Sequence, residues 1–184
     1  MSCSSEEQQK SDDLNNVNLS RPTSYSITKK YSLVLDRNNK EVAELNEENA
    51  YLYENNEDVH IEEIEILFTA INLSEYFEND IQFLNYVQSN PLDIDGNIEV
   101  YTNGVLVYGI GIEKGRDLNV YMGETSSSED CKDSEGNYTC SYKCIKQCAI
   151  DGIHAQNWLQ MIECISEGFG CVAKWYAYCI IDHC

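Results

Sequence analysis

Apolar and polar residues alternate along the first stretch that we predict to be ordered, as in a strand with one buried face. The apolar positions are Tyr25, Ile27, Tyr31, Leu33 and Leu35. The polar sequence RNNK at 37–40 then favours a turn, and residues 41–45 can return as a second strand. The pattern therefore predicts a hairpin, followed by a short apolar segment at 51–53 between acidic loops.

The apolar residues between 59 and 72 fit both the period of a helix and the period of a strand. Ile64 and Phe68 would share one face of a helix, whereas Ile64, Ile66 and Phe68 alternate as in a strand. We favour the strand, because β-branched residues are dense here and pack well on a pleated sheet.

The next apolar residues form a stripe of helical width. They are Tyr76, Phe77, Ile81, Phe83, Leu84 and Val87. Ser74 can cap the start of this helix, and Pro91 prevents its continuation. One helix is therefore predicted over 74–88.

Strand signals return from residue 92. Asp95-Gly96 and Asn103-Gly104 are both favoured two-residue hairpin turns. A further strand is expected at 118–122. We therefore predict that residues 24–123 form an α+β domain, a mostly antiparallel sheet with one helix. The strand residues around the two turns are Val100, Val105, Val107 and Ile110.

Cysteines dominate the pattern from 131 to 184, a segment that holds eight of the nine cysteines. Cys140, Cys144 and Cys148 are four residues apart, which places them on one face of a helix. Their β-carbons would lie roughly 5–6 Å apart, whereas a disulfide needs about 3.5–4.5 Å. We therefore expect each of the three to bridge to another element.

Two more helices are predicted after this one. The first carries apolar residues at helical spacing, and Gly168 and Gly170 interrupt it. In the second, Cys171, Trp175 and Cys179 are again four residues apart. Residues 131–184 are thus predicted to be a small disulfide-stapled all-α domain. The apolar residues of the first of these two helices are Trp158, Leu159, Ile162 and Ile165.

We predict that the eight cysteines of this segment pair with one another, with the connectivity left open. They are Cys131, Cys140, Cys144, Cys148, Cys164, Cys171, Cys179 and Cys184. A zinc site is disfavoured because the segment has no Cys-x-x-Cys pair. A nucleophile made of Cys179 and His183 is disfavoured because a cysteine in an even set is more often bridged. The pattern predicts no metal and an oxidising compartment.

The segments outside the two domains are polar. Residues 1–23 are predicted to be a disordered acidic tether, and 124–130 (ETSSSED) a linker that a protease would cut. Cys3 follows a small residue and precedes the tether, which resembles the start of a mature bacterial lipoprotein. It is a candidate for lipidation, the alternative being a free cysteine in a disordered tail. Because disulfides need export and no apolar signal segment is present, we expect the numbering to begin within a longer precursor.

The net charge of −20 is unevenly distributed. Residues 131–184 contain four lysines and six acidic residues, a net −2, so residues 1–130 carry −18. This charge excludes a general nucleic-acid binder, which needs a basic surface. Acidity that maintains solubility is the simpler explanation, and an acidic part that keeps the cysteine-rich part soluble or quiet is the alternative. No apolar run is long enough to span a bilayer.

Motifs for catalysis are lacking. His60, His154 and His183 are the three histidines, and none stands in a nucleophile or metal motif. The sequence DIDGN at 93–97 fails as a calcium loop, because Pro91 and Thr102 would occupy positions that need carboxylates. We expect no catalytic residues, no cofactor and no enzymatic activity.

Five aromatic residues of the cysteine-rich segment have two interpretations. The favoured one is that these rings fill the small core between the helices. The other is a belt that contacts a membrane or a partner, since Trp and Tyr settle at membrane–water boundaries. They are Trp158, Phe169, Trp175, Tyr176 and Tyr178.

The sequences CSYKCIKQC, IEC and FGCVAKWYAYC, followed by the terminal Cys184, resemble the halocin-like family of bacteriocin precursors. In that family a cysteine-rich C-terminal peptide is released as the antimicrobial, and the N-terminal part is associated with immunity. The resemblance covers only 131–184.

The resemblance implies an exported bacteriocin- or toxin-like precursor whose C-terminal peptide acts on the membrane or an envelope protein of a target cell. The acidic N-terminal region would be its solubilising or immunity-type part. The alternative is a surface lipoprotein whose 24–123 domain binds a ligand and whose stapled domain is a rigid interaction module. Either function places the protein outside the cell, secreted or anchored to the outer face of the membrane.

Overall fold

Six antiparallel strands form one sheet in the computed structural model, which describes residues 24–36, 38, 41–46, 59–121, 123, 131–137 and 139–184. The order across the sheet is β2-β1-β3-β4-β5-β6. This confirms the predicted antiparallel sheet, including the strand chosen for 59–72. The strands are β1 Ser24–Asp36, β2 Glu41–Glu44, β3 Val59–Ile71, β4 Asp95–Thr102, β5 Val105–Glu113 and β6 Arg116–Tyr121.

The sheet has one apolar face, which we call the inner face. Ile64, Ile66 and Phe68 of β3 point to it and are fully buried. Tyr31 of β1 pairs with Ile64, and Val100 of β4 pairs with Ile66, so the inner face continues across β1 and β4. The period of two in the sequence thus corresponds to a real difference between the two sides of the sheet.

Four helices are described, and the first lies between β3 and β4 in the chain. Phe83 of α1 stacks on Phe68 of β3 with ring centroids 5.4 Å apart, which puts α1 on the inner face. The other three follow one another in the cysteine-rich segment, as predicted. The helices are α1 Asp80–Ser89, α2 Tyr142–His154, α3 Trp158–Glu167 and α4 Phe169–His183.

One continuous cluster of buried side chains contains the inner face of the sheet and the apolar faces of all four helices. Ile98 of β4, Val87 of α1 and Ile162 of α3 belong to it and are fully buried. The division at 124–130 stays a prediction. In the structure the helices of 131–184 complete a core that begins in the sheet.

Three local predictions are wrong. Asp95-Gly96 does not form a hairpin turn: both residues lie in β4, where Gly96 pairs with Ala70. A β-carbon on Gly96 would lie 2.0 Å from the Thr69 carbonyl oxygen, so this glycine serves the close approach of β3.

The other two concern helix ends. Helix α1 begins at Asp80, not near Ser74, because the Asn79 side chain accepts a hydrogen bond from the Gln82 N–H and caps it there. Gly168, with φ of +76°, separates α3 from α4, but Gly170 lies inside α4. By contrast, the Asn103-Gly104 turn is confirmed, with φ of +49° and +76° between β4 and β5.

Candidate functional site

All eight cysteines of 131–184 are paired. Each member of the Cys140, Cys144 and Cys148 row bridges to another element, which confirms the expectation from their spacing. Cys148 joins α2 to Cys179 of α4. The four disulfides are Cys131–Cys144, Cys140–Cys184, Cys148–Cys179 and Cys164–Cys171.

Every one of these disulfides lies within 131–184, and none joins this segment to the sheet. We call residues 131–184 the disulfide block. The four bridges agree with an extracellular or secreted protein, since such bonds persist in oxidising compartments. Among the helices that the structure describes, none is both long and apolar enough to cross a membrane.

The five aromatic residues of the disulfide block separate into buried and exposed ones. Trp158 and Tyr176 are buried in the shared core, whereas Phe169 and Trp175 are partly buried against it. Tyr178 is 65% exposed. In the intact chain Tyr178 is therefore accessible for contact with a membrane or a partner, whereas Trp158 and Tyr176 are not.

The block contacts the sheet through satisfied hydrogen bonds at the junction of α2 and α3. The Trp158 indole N–H donates to the Gly115 carbonyl oxygen over 2.9 Å. The Tyr108 hydroxyl of β5 donates to the Gln156 carbonyl oxygen over 2.7 Å, and Nε2 of His154 lies 2.7 Å from the Val107 carbonyl oxygen. This end of the interface leaves its polar groups paired.

A different arrangement surrounds Glu62, at the other end of α2. Glu62 lies on the inner face of β3, and its side chain has no exposed surface. Its Oε2 accepts hydrogen bonds from the Tyr142 hydroxyl and, over 3.0 Å, from the Asn103 amide. The Lys146 ammonium lies 2.7 Å from its Oε1, without the alignment of a hydrogen bond. Two of these partners, Tyr142 and Lys146, are one turn apart on α2.

Two tyrosines of the disulfide block, Tyr142 and Tyr176, lie beside Glu62. The Tyr142 ring stacks on the His60 ring with centroids 4.0 Å apart. Burial, and then the hydrogen bond to Glu62, raise the pKa of Tyr142 above its ordinary value. Burial and then the Glu62 charge also raise the pKa of Tyr176, a residue of α4. Both phenols therefore stay protonated beside the carboxylate.

Buried polar atoms without a hydrogen bond gather at the same place. In the part of the chain that the structure describes they are Glu62 Oε1, Thr102 Oγ1 and Tyr176 Oη. Thr102 pairs with Ile64 in the sheet, next to Asn103 in sequence and two β3 residues from Glu62. Glu62 Oε1 has the Lys146 ammonium as its counter-ion, whereas leaving an oxygen such as Thr102 Oγ1 unpaired costs about 1–3 kcal/mol. We call Glu62, Asn103, Thr102, Tyr142, Lys146 and Tyr176 the Glu62 cluster.

The opposite, outer face of the sheet carries a second polar arrangement. Glu99 of β4 accepts hydrogen bonds from the hydroxyls of Tyr101 (2.7 Å) and Tyr121 (2.9 Å). Burial, and then the bond to Glu99, raise the pKa of Tyr121 to about 12. The Tyr121 ring lies over Gly109, where a β-carbon would come within 2.0 Å of it. This carboxylate is therefore held by two phenols.

The sequence did not point to the Glu62 cluster, although one signal was available. Glu62 stands in the apolar phase of β3, two residues before Ile64, where a strand with one buried face should carry an apolar side chain. Its partners lie 41 and 80 residues further along the chain, and no local pattern connects them.

Several predicted features lie outside the described residues. These are the tether 1–23 with Cys3, the segment 51–53, the linker 124–130 and the side chain of His183. Within the described residues, no group of three or more His, Cys, Asp or Glu side chains is placed to hold a metal ion.

Comparison with models of known protein families, with curated proteins and with solved structures finds no match for this chain.

Proposed function

We propose that the chain is an exported precursor whose disulfide block is a toxin-like peptide that acts on the envelope of a target cell. The observation that carries the proposal is the distribution of the disulfides. All four lie inside 131–184, so a cut in 124–130 would leave the block with all four of these disulfides and none of them joined to the sheet. The resemblance of its cysteine-rich sequences to halocin-like precursors supports the same proposal.

The surface that separation would uncover is suited to a membrane. The block buries Trp158, Met161, Ile165 and Tyr176 in the shared core. Trp158 and Tyr176 meet the sheet at Gly115 and at Glu62, so release would uncover these two rings, and large aromatic rings settle at the membrane–water interface. The sheet covers this surface in the intact chain, which agrees with a precursor that is inactive until it is cut.

The negative charge of residues 1–130 is suited to keeping the uncut chain in solution. Residues 1–130 carry a net charge of −18, against −2 for the block. A high net charge keeps a protein soluble and monomeric and opposes binding to anionic membranes. The uncut chain would therefore stay in solution while the block is covered.

The test separates the two parts and assays the block. A specific protease site is placed within 124–130, the oxidised protein is cut, and the isolated block is added to related bacteria and to dye-loaded lipid vesicles. We expect growth arrest at micromolar block, with no arrest by the uncut chain or by block that has been reduced and alkylated. Absence of arrest by oxidised block at that concentration contradicts the proposal.

A second candidate function is a surface-anchored binding module, in which Cys3 carries lipid and the sheet binds a ligand. The arrangement that favours it is on the outer face, where Glu99 is held between Tyr101 and Tyr121 away from the described helices. Intact mass of the native protein distinguishes the two candidates. A diacylglycerol on Cys3 with an uncut 124–130 favours the module, and a free block favours the precursor.

A further inference from the structure

The interface between the disulfide block and the sheet combines an apolar core with polar contacts at both ends of α2. Around Trp158 and Gln156 the polar groups are paired, and the surrounding side chains belong to the apolar core. The Glu62 cluster is the exception. It brings the Glu62 carboxylate, the Lys146 ammonium group and two further buried oxygens without hydrogen bonds, Thr102 Oγ1 and Tyr176 Oη, into the contact.

The partners of Glu62 divide between the two sides of that interface. Glu62, Asn103 and Thr102 belong to the sheet and its turn, whereas Tyr142, Lys146 and Tyr176 belong to α2 and α4 of the block. When the two parts separate, the fully buried members of this set, Glu62, Thr102 and Tyr176, regain water. An apolar contact of the same size gains nothing comparable on separation, because water does not solvate it.

A buried ion pair of this kind holds the contact less firmly than apolar side chains of similar volume would. Desolvation, complete for Glu62 and partial for the 24% exposed Lys146 side chain, offsets much of their attraction, so replacing such a pair by well-packed apolar residues is often neutral or stabilising. Removing the Glu62 charge alone has the opposite effect, because the Tyr142 hydroxyl loses its charged acceptor and the Lys146 ammonium loses its counter-ion. Replacing the whole cluster by apolar residues should therefore slow separation of the block from the sheet, whereas removing the Glu62 charge alone should speed it.

From this we propose that the Glu62 cluster is a built-in separation point: it weakens one end of the interface so that the disulfide block leaves the sheet as a folded unit once 124–130 is cut. The inference rests on the proposed function and adds to it the residues that govern release. Tyr142 and Lys146, one turn apart on α2, are the groups of the block that the sheet holds at this point.

The experiment compares release of the block from cut protein. A protease site is placed within 124–130 of the full chain, a fluorophore is attached to each part, and dissociation after cutting is followed by loss of energy transfer on dilution. Three proteins are compared with the parent. The first is Glu62→Gln. The second is an apolar triple variant that combines Glu62→Met, Tyr142→Phe and Lys146→Met. The third is the control Glu65→Gln, whose ion pair with Lys30 is on the outer face.

We expect release from the triple variant to be at least about tenfold slower than from the parent, and release from Glu62→Gln to be at least about tenfold faster. Glu65→Gln should match the parent. A triple variant that releases as fast as the parent, or that fails to fold, overturns the inference, as does a Glu62→Gln variant that matches Glu65→Gln. All of these readouts are independent of antimicrobial activity. A block that separates as expected but arrests no cells contradicts only the proposed function.

Discussion

The indole N–H of Trp158 donates a hydrogen bond to the carbonyl oxygen of Gly115, 2.9 Å away, and so ties the start of α3 to the turn between β5 and β6. The ring itself is buried in the core that the sheet and the helices share. One residue therefore contributes both to the packing of the block and to its position on the sheet.

Replacing Trp158 by phenylalanine should lower the free energy of unfolding by about 1–3 kcal/mol, because the Gly115 carbonyl loses its donor and part of the buried ring volume is lost. Urea denaturation followed by circular dichroism measures this. Leu159→Ala, one residue away and 40% exposed, is the control and should change the free energy by about 0.5 kcal/mol or less. Equal effects of the two changes would contradict the assignment.

Gly109 and Gly170 should respond to alanine with opposite signs. A β-carbon on Gly109 would lie 2.0 Å from the Tyr121 ring, and displacing that ring also breaks its bond to Glu99, so we expect a loss of about 1–3 kcal/mol. Gly170 lies inside α4 with nothing within 4 Å of its added β-carbon, so alanine should stabilise the protein by about 0.5–1 kcal/mol. Thermal unfolding of both variants checks the signs.

The disulfides should differ in what their removal costs. Replacing both cysteines of Cys140–Cys184 should cost about 3 kcal/mol by the loop-entropy relation, because the Cys148–Cys179 bridge nested inside it already shortens the loop it closes, against about 2 kcal/mol for Cys164–Cys171, which are seven apart. Guanidinium unfolding of the two double-alanine variants gives the difference. A larger loss from the shorter loop would show that packing, rather than loop closure, decides the cost.

Alkaline pH should destabilise the fold through Tyr108. Burial, and then the Asp117 charge, raise the pKa of Tyr108 to about 12 from its ordinary value of 10. Because the folded pKa is the higher one, the stabilisation is complete below pH 10 and is lost as pH rises through 12. Unfolding free energies measured across this window should fall less steeply for Tyr108→Phe than for the parent. Parallel curves for the two proteins would contradict the assignment.

Features that depend on local periodicity could be predicted from the sequence. The alternation around Leu33 and Phe68 placed two long strands, and the four-residue spacing of Cys140, Cys144 and Cys148 indicated bridges to other elements. Asn103-Gly104 formed the expected turn because both residues tolerate a positive φ. These signals reside in a few consecutive residues, so no tertiary information was needed.

Features that depend on neighbours far along the chain could not be predicted. Asp95-Gly96 has the composition of a turn, yet Gly96 is required by the passing backbone of β3. The Glu62 cluster joins residues from β3, the β4–β5 turn, α2 and α4, and the disulfide pairing needs the arrangement of three helices. An unexpected glutamate in an apolar phase indicates that a polar contact exists but not which residues complete it.

The order of elements along the chain has a consequence for how the protein is made. All six strands of the sheet precede α2 in the chain, so during synthesis the inner face of the sheet emerges before the three helices of the disulfide block. Until those helices arrive and their cysteines are oxidised, side chains such as Tyr108, whose ring stacks on His154 of α2, face solvent, and such surfaces aggregate. We expect nascent chains halted before residue 131 to recruit a holding chaperone, and the acidic residues already synthesised to slow their self-association.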